Sequence, residues 1–75
     1  MTVYPNPAGS GKLMLDIAGQ GTYQAEVYNL TGIRVLQRSL QHSRELNIDG
    51  LAKGMYVLRV ISEHGDVQTG KFVIK

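Results

Sequence analysis

The feature that most constrains the fold is an alternation of apolar and polar residues, which recurs in short stretches along most of the chain. Side chains of a β-strand point alternately to opposite faces, so this period of two predicts strands with one buried and one solvated face. The predicted inward residues are Leu13, Leu15 and Ile17, then Tyr23, Ala25 and Val27, then Leu46 and Ile48, then Tyr56, Leu58 and Val60, and finally Phe72 and Ile74.

Short glycine-bearing segments separate these stretches, at residues 8–11, 18–21, 30–32 and 63–66. Glycine adopts the positive φ of tight hairpin turns at little steric cost. Together the two patterns predict seven strands, near residues 2–4, 12–17, 22–29, 33–40, 44–48, 55–62 and 67–74. Strands at this spacing indicate an all-β fold, an antiparallel β-sandwich of the immunoglobulin-like kind.

One segment, residues 33–49, also permits a helix, because it lacks Gly and Pro and contains many good helix formers. A helical stripe would consist of Val35, Leu36, Ser39, Leu40 and His42. We favour two strands here, since Ile33 and Val35 at one end and Leu46 and Ile48 at the other alternate and follow a hairpin signal.

Composition fits one small folded domain and excludes several classes of protein. The chain has 75 residues, of which 43% are hydrophobic and 19% charged, and it contains no cysteine. Disulfides and thiolate metal sites are therefore excluded. The longest apolar run, residues 55–58, is far shorter than the ~20 residues of a membrane span. The eight basic residues are dispersed singly, unlike the basic stripe of a nucleic-acid-binding domain.

The candidate catalytic and ligand-binding combinations are weak. Ser62, His64 and Asp66 alternate beside a turn, which predicts a polar hairpin tip rather than a nucleophile, base and orienting acid. Residues 9–12 match part of a phosphate-binding loop but lack the glycine and the hydroxyl residue that complete it. Residues 29–31 fit the glycosylation pattern, yet the same residue types are ordinary in hairpins. We therefore expect no enzyme, metal site or cofactor.

The carboxylates Asp16, Glu26 and Asp49 are predicted to lie on the solvent faces of different strands. Each is predicted to be a solubilising charge on a solvated face.

The segment from Leu51 to Tyr56 has the pattern Leu-x-x-Gly-x-Tyr, followed by alternating apolar residues. This pattern resembles the tyrosine corner of immunoglobulin-like sandwiches, where the phenol bonds an upstream backbone group as the chain crosses between sheets. Gly54 would permit the bend. The corner stabilises a fold and performs no chemistry.

The chain opens with Tyr4-Pro5-Asn6-Pro7, which predicts a stiff, extended lead-in, because proline fixes its own φ and restricts the preceding residue. With this opening, the order of the motifs resembles the type A C-terminal sorting domain of the type IX (Por) secretion system of Bacteroidetes. The resemblance covers residues 3–8, 27–35, 51–60 and 71–75. Its motif residues are Tyr4, Pro5, Asn6, Pro7, Gly32, Leu51, Gly54, Tyr56, Lys71 and Lys75.

The resemblance implies that residues 1–75 are a single sorting domain, a fragment of a larger exported protein with its cargo fused N-terminally. The cargo would enter the periplasm through its own signal peptide. The outer-membrane translocon would then recognise the domain, and a sortase-like protease would remove it at the cell surface, leaving the cargo there or in the medium. Such a domain is a non-catalytic secretion signal.

The alternation of side chains along the strands also predicts a recognition surface. If Arg59, Lys71 and Lys75 face water, alternate residues on their strands do too. The predicted recognition surface is an apolar patch of Tyr28, Val57, Ile61 and Val73, rimmed by Arg59, Lys71 and Lys75. Strand addition at the edge of the last strand is a second possible mode of recognition.

A fibronectin-like or carbohydrate-binding accessory module is the alternative, because it shares the sandwich and the tyrosine corner. Sugar-binding modules usually offer an aromatic platform. This chain has no tryptophan, and Tyr23, Tyr56 and Phe72 are predicted to point inward. The opening proline motif and the basic final strand favour the sorting domain.

Overall fold

A computed structural model of the chain describes residues 2–4, 11–17, 21–41 and 44–75. The seven predicted strands are confirmed, and each observed boundary lies within one residue of the predicted one. The strands are β1 (Thr2–Tyr4), β2 (Lys12–Asp16), β3 (Tyr23–Tyr28), β4 (Arg34–Leu40), β5 (Glu45–Asn47), β6 (Gly54–Ser62) and β7 (Val67–Ile74).

The segment that permitted a helix forms β4 and β5 instead. The two strands belong to different sheets, because β4 pairs with β3 and β5 pairs with β2. Pairing with these neighbours places Leu40 and Leu46 in the core. Burial of apolar surface in the two sheets thus outweighs the modest helix propensity of the segment.

The strands form two antiparallel sheets. One sheet has the order β1-β2-β5 and the other has the order β4-β3-β6-β7. The chain forms a hairpin at β3–β4 and at β6–β7, and it crosses between the sheets at β2–β3, β4–β5 and β5–β6. At the two sides of the molecule β1 lies beside β7 and β4 lies beside β5. This arrangement is the predicted β-sandwich.

The core fills the space between the sheets. Its buried residues are Leu13, Leu15, Ile17, Tyr23, Ala25, Val27, Leu40, Leu46, Ile48, Tyr56, Leu58, Val60 and Phe72. The predicted inward residues are confirmed, except that Ile74, at the end of an edge strand, is only partly buried. Each fully buried large side chain contributes about 1.5–3 kcal/mol relative to an exposed one.

The β3–β4 hairpin contains a β-bulge. Val27 faces Leu36 and Tyr28 faces Arg34, so Val35 is an extra residue without a partner on β3. Ile33, which was predicted to begin the strand, lies in the turn before it, and the side chains of both Ile33 and Val35 are exposed. The alternation of these two residues therefore identified the strand but not a buried face.

Asn29 organises the turn between β3 and β4. Its side-chain Oδ1 accepts hydrogen bonds from the backbone N–H groups of Thr31 and Ile33, each at 3.0 Å, and from the Thr31 hydroxyl at 2.7 Å. Gly32 closes the turn with a φ of 86°, a conformation that favours glycine. The potential glycosylation pattern at residues 29–31 is thus accounted for by turn structure.

Candidate recognition surface

The possible catalytic residues at the β6–β7 turn form a hairpin tip, as predicted. The Ser62 hydroxyl accepts hydrogen bonds from the backbone N–H groups of His64 (3.2 Å) and Asp66 (3.0 Å). The Ser62 backbone N–H donates to the Asp66 carbonyl at 2.8 Å. The hydroxyl serves as the acceptor that shapes the turn. No side chain in the described part of the chain accepts a hydrogen bond from it, as the base that activates a nucleophile would.

The partial phosphate-loop pattern does not form an anion site at the residues that are described. Gly11 is followed directly by strand β2 rather than by a helix, and its carbonyl accepts a hydrogen bond from the Ile48 N–H at 2.8 Å. The carboxylate of Asp49 lies against the Gly11 Cα, where a side chain would meet it. A negative charge at this point opposes phosphate binding. Gly9 and Ser10 lie outside the described residues.

Across the ranges that the structure describes, no three acidic or histidine side chains gather as metal ligands, and no pocket opens at the surface. The same ranges contain no helix long and apolar enough to cross a bilayer. The residues of the predicted recognition surface lie at the surface of the sandwich, on the four-stranded sheet.

The tyrosine corner fixes one boundary of that surface. The Tyr56 hydroxyl donates to the Ala52 carbonyl at 2.6 Å, which confirms the predicted bond to an upstream backbone group. Gly54 makes the bend with a φ of 150°. The Tyr56 ring stacks on Phe72 with a centroid distance of 5.5 Å. These contacts fix where β6 begins and hence which of its residues point outward.

The predicted surface residues lie on one face of the four-stranded sheet, the face turned away from the core, called here the outer face. Residues directly opposite each other in an antiparallel pair share a face. The relevant pairs are Tyr28 with Val57, Glu26 with Arg59, Gln24 with Ile61, Met55 with Val73, Val57 with Lys71, Arg59 with Thr69, and Ile61 with Val67. Tyr28, Val57, Ile61 and Val73 are half-buried, and Arg59 is exposed.

Arg59 was predicted to lie on the rim of the apolar patch, but it lies in the middle of the outer face and divides its apolar part in two. Tyr28, Val57 and Val73 lie toward the end where β6 begins, called here the corner end, and Ile61 lies toward the opposite end. Prediction from sequence missed Met55, which joins the corner-end group. It also missed Val67, which faces Ile61 at the other end. Met55 lies one alternation before Val57 on β6, and Val67 lies three alternations before Val73 on β7. The same period of two would therefore have found both residues.

Further apolar side chains are exposed on the β3–β4 hairpin, at the corner end. Leu30 is 70% exposed, Ile33 61% and Val35 37%. They adjoin the outer face because β3 ends and β4 begins at the level where Tyr28 faces Val57. Exposed apolar surface is thus concentrated at the corner end, the distribution expected of an interaction site.

Glu26 corrects the prediction that its carboxylate is a solvated charge. Although it points to the outer face, it is only 8% exposed. Its Oε1 accepts a hydrogen bond from the Tyr28 hydroxyl at 2.9 Å, and its Oε2 accepts one from Arg34 Nη1 at 3.2 Å. The network satisfies the buried carboxylate and anchors the Tyr28 side chain on the sheet.

The family-motif residues occupy different parts of the molecule. Tyr4 ends β1 and is 49% exposed, and Pro5, Asn6 and Pro7 lie outside the described residues. Gly32, Leu51, Gly54 and Tyr56 form the turn and the corner described above. Lys71 and Lys75 are exposed, and Lys71 points to the outer face beside Val57.

No curated protein matches the chain. A family model described as the secretion system C-terminal sorting domain matches residues 2–75. Since the match takes in all but the first residue, the chain belongs to the family of C-terminal sorting domains of the type IX secretion system.

Proposed function

We propose that this domain is a non-catalytic address that the outer-membrane translocon of the type IX system reads through the outer face. Family membership makes the chain a C-terminal sorting signal and its parent an exported protein, destined for the cell surface or the extracellular space. The proposal adds that the cargo waits in the periplasm, that the translocon docks on a defined surface, and that a sortase-like protease then removes the domain.

The observation that carries the proposal is the exposed apolar surface at the corner end of the outer face. A small soluble sandwich normally presents polar side chains on a solvated sheet face. Here two neighbouring cross-strand pairs on that face are apolar, Tyr28 with Val57 and Met55 with Val73. Docking would remove their apolar surface from water, at about 25 cal/mol for each Å² buried.

A rigid surface favours docking because little conformational entropy is lost on binding. The corner at Tyr56 and the Glu26 network on Tyr28 both hold this part of the outer face in place. Aromatic side chains fixed in this way are typical anchors of protein interfaces.

Two other modes of action have less support. Strand addition along β7 is disfavoured because β1 lies beside this edge strand. Carbohydrate binding lacks an aromatic platform among the described residues, since Tyr23, Tyr56 and Phe72 are buried. The exposed Tyr4 and the half-buried Tyr28 lie on different sheets and do not form one stacking surface.

The test is secretion of a reporter that carries a signal peptide at its N-terminus and residues 2–75 at its C-terminus, in a type IX-competent bacterium. Val57→Asp and Val73→Asp each place a charge within the corner-end apolar group. We expect each to lower secreted reporter by about tenfold or more, since a charge desolvated without a partner is costly in an interface.

Met14→Asp is the matched control, because Met14 is also half-buried and lies on the three-stranded sheet. It should be secreted like the unmodified fusion. Circular dichroism would verify that all three variants fold. Normal secretion of folded Val57→Asp and Val73→Asp would refute recognition through the outer face, and periplasmic retention of the unmodified fusion would refute the function itself. Release of the reporter with residues 2–75 still attached would refute the cleavage step.

A further inference from the structure

Arg59 occupies the middle of the outer face. It lies between Val57 and Ile61 along β6, and it is paired with Glu26 on β3 and Thr69 on β7. The guanidinium is exposed and thus lies where a docking partner would cover it. An arginine desolvated in this way needs a partner for its charge.

Glu26, although directly across from Arg59, is not that partner. Its two carboxylate oxygens bind the Tyr28 hydroxyl and the Arg34 guanidinium, and its side chain is 11% exposed. Within the part of the chain that the structure describes, Arg59 has no ion pair or side-chain hydrogen bond. Glu26 is also the one acid that the described strand pairs place on the outer face, whereas Arg34, Arg59 and Lys71 are cationic. The face is therefore electropositive around Arg59.

We infer that the protein partner of this surface presents a carboxylate to Arg59, flanked by apolar side chains that pack against Val57 on one side and Ile61 on the other. The inference rests on the proposed function and specifies the chemistry of the partner. A guanidinium binds a carboxylate with two parallel hydrogen bonds. Apolar contacts on both sides exclude water and strengthen that pair.

A second copy of the chain does not meet this requirement. In a symmetric dimer the same face lies on both subunits, so the exposed cations would meet one another, and Glu26 is enclosed beneath Tyr28 and Arg34. A phosphate-bearing lipid fits less well than a protein. Phosphate sites use clustered cations or free backbone N–H groups, whereas Arg59 stands between apolar residues on a paired strand.

The secretion assay tests the inference with three substitutions of Arg59. Arg59→Glu would place a carboxylate opposite the carboxylate of the partner, and the repulsion between them should lower secreted reporter by at least about tenfold. Arg59→Gln should lower secretion less, and Arg59→Lys, which keeps the charge, should lower it least. Arg38→Glu is the matched control, because Arg38 is exposed on β4 but faces Ala25 in the register and so lies off the outer face. It should change secretion by less than about twofold.

Carbodiimide cross-linking gives a second readout that depends on the carboxylate. In cells secreting the Arg59→Lys fusion, an amine at this position should couple to an aspartate or glutamate of an outer-membrane component of the secretion system, identified by mass spectrometry. The Arg38→Lys fusion should give no adduct at its substituted position. The order of secretion expected for the three Arg59 variants, together with this adduct, supports the inference.

Other outcomes contradict it. Normal secretion of Arg59→Glu while Val57→Asp fails would leave the docking surface standing and overturn the carboxylate partner. Retention of the unmodified fusion would overturn the proposed function and this inference with it. Binding of the purified fusion to phosphatidylglycerol vesicles, lost in Arg59→Glu, would show that the site takes a lipid phosphate and would also overturn the inference.

Discussion

At the scale of single residues, one phenol determines how the chain enters its longest strand. The Tyr56 side chain is inserted in the core against Phe72, and its hydroxyl reaches back across the bend to the Ala52 carbonyl. The bond satisfies two polar groups at a place where the chain changes sheets. It therefore links the loop before β6 to the core and fixes the positions of Met55 and Val57 on the outer face.

Removing this hydroxyl gives a direct test. Tyr56→Phe keeps the ring stacking but leaves the Ala52 carbonyl without its donor, and we expect the free energy of unfolding to fall by about 1–2 kcal/mol. Urea denaturation monitored by circular dichroism measures the change. Tyr4→Phe, at a position 49% exposed, is the control and should change the stability by less than about 0.5 kcal/mol. Equal stability of Tyr56→Phe and the unmodified domain would mean that the bond contributes nothing to the corner.

At the scale of elements, we expect the stability of the β3–β4 hairpin to depend more on the hydrogen bonds of its turn than on the burial of apolar side chains. Most residues of β4 are exposed, and a bulge interrupts its pairing with β3. Arg38 donates a hydrogen bond from Nη1 to the Gln37 carbonyl at 2.7 Å. The bulge and the charged side chain both protect this edge strand from pairing with other chains. The turn of the hairpin exposes Leu30 and Ile33.

Asn29→Ala should loosen this hairpin selectively. The substitution removes the acceptor of three hydrogen bonds in the turn, and we expect a loss of about 1–3 kcal/mol in the stability of the hairpin. Hydrogen exchange followed by NMR should show faster exchange of β4 amides, while those of β6 stay protected. Gln41→Ala, beyond the other end of β4, provides a comparison substitution. Unchanged exchange in β4 of Asn29→Ala would show that strand pairing alone maintains the hairpin.

The elements could be predicted from sequence because each depends on a local pattern. The period of two and the glycine-bearing turns together predicted the seven strands, and Leu-x-x-Gly-x-Tyr identified the corner. The bulge at Val35 and the burial of Glu26 could not be predicted in this way. Both depend on which residues lie opposite on neighbouring strands, and a single strand's alternation contains no information on register.

At the scale of the whole molecule, the proposed function gives the two faces of the four-stranded sheet different roles. The inner face supplies residues such as Val27, Leu58 and Phe72 to the core, and the outer face carries the proposed docking residues. The outer-face group was predicted from strand phase alone, apart from Met55 and Val67. Its division by Arg59 corrects the predicted rim position of that residue, and its extension to Leu30, Ile33 and Val35 became visible only when the strands were set side by side.

This division of roles predicts that stability and secretion can be separated by substitution. Phe72 is fully buried, and Phe72→Ala should lower the free energy of unfolding by about 3–5 kcal/mol. That is a large share of the roughly 4–11 kcal/mol expected for a domain of this size. Val57→Asp, on the outer face, should cost much less because its side chain remains partly solvated.

Thermal melting and limited proteolysis of both variants, compared with their secretion as reporter fusions, test the separation. Phe72→Ala should melt early, be cleaved readily and be secreted poorly, because an unfolded domain presents no outer face. Val57→Asp should keep a cooperative melt and resist protease, yet be retained. If Phe72→Ala is unfolded and the reporter is still secreted at the normal level, the signal is a linear segment of sequence, and the folded outer face is not what the translocon reads.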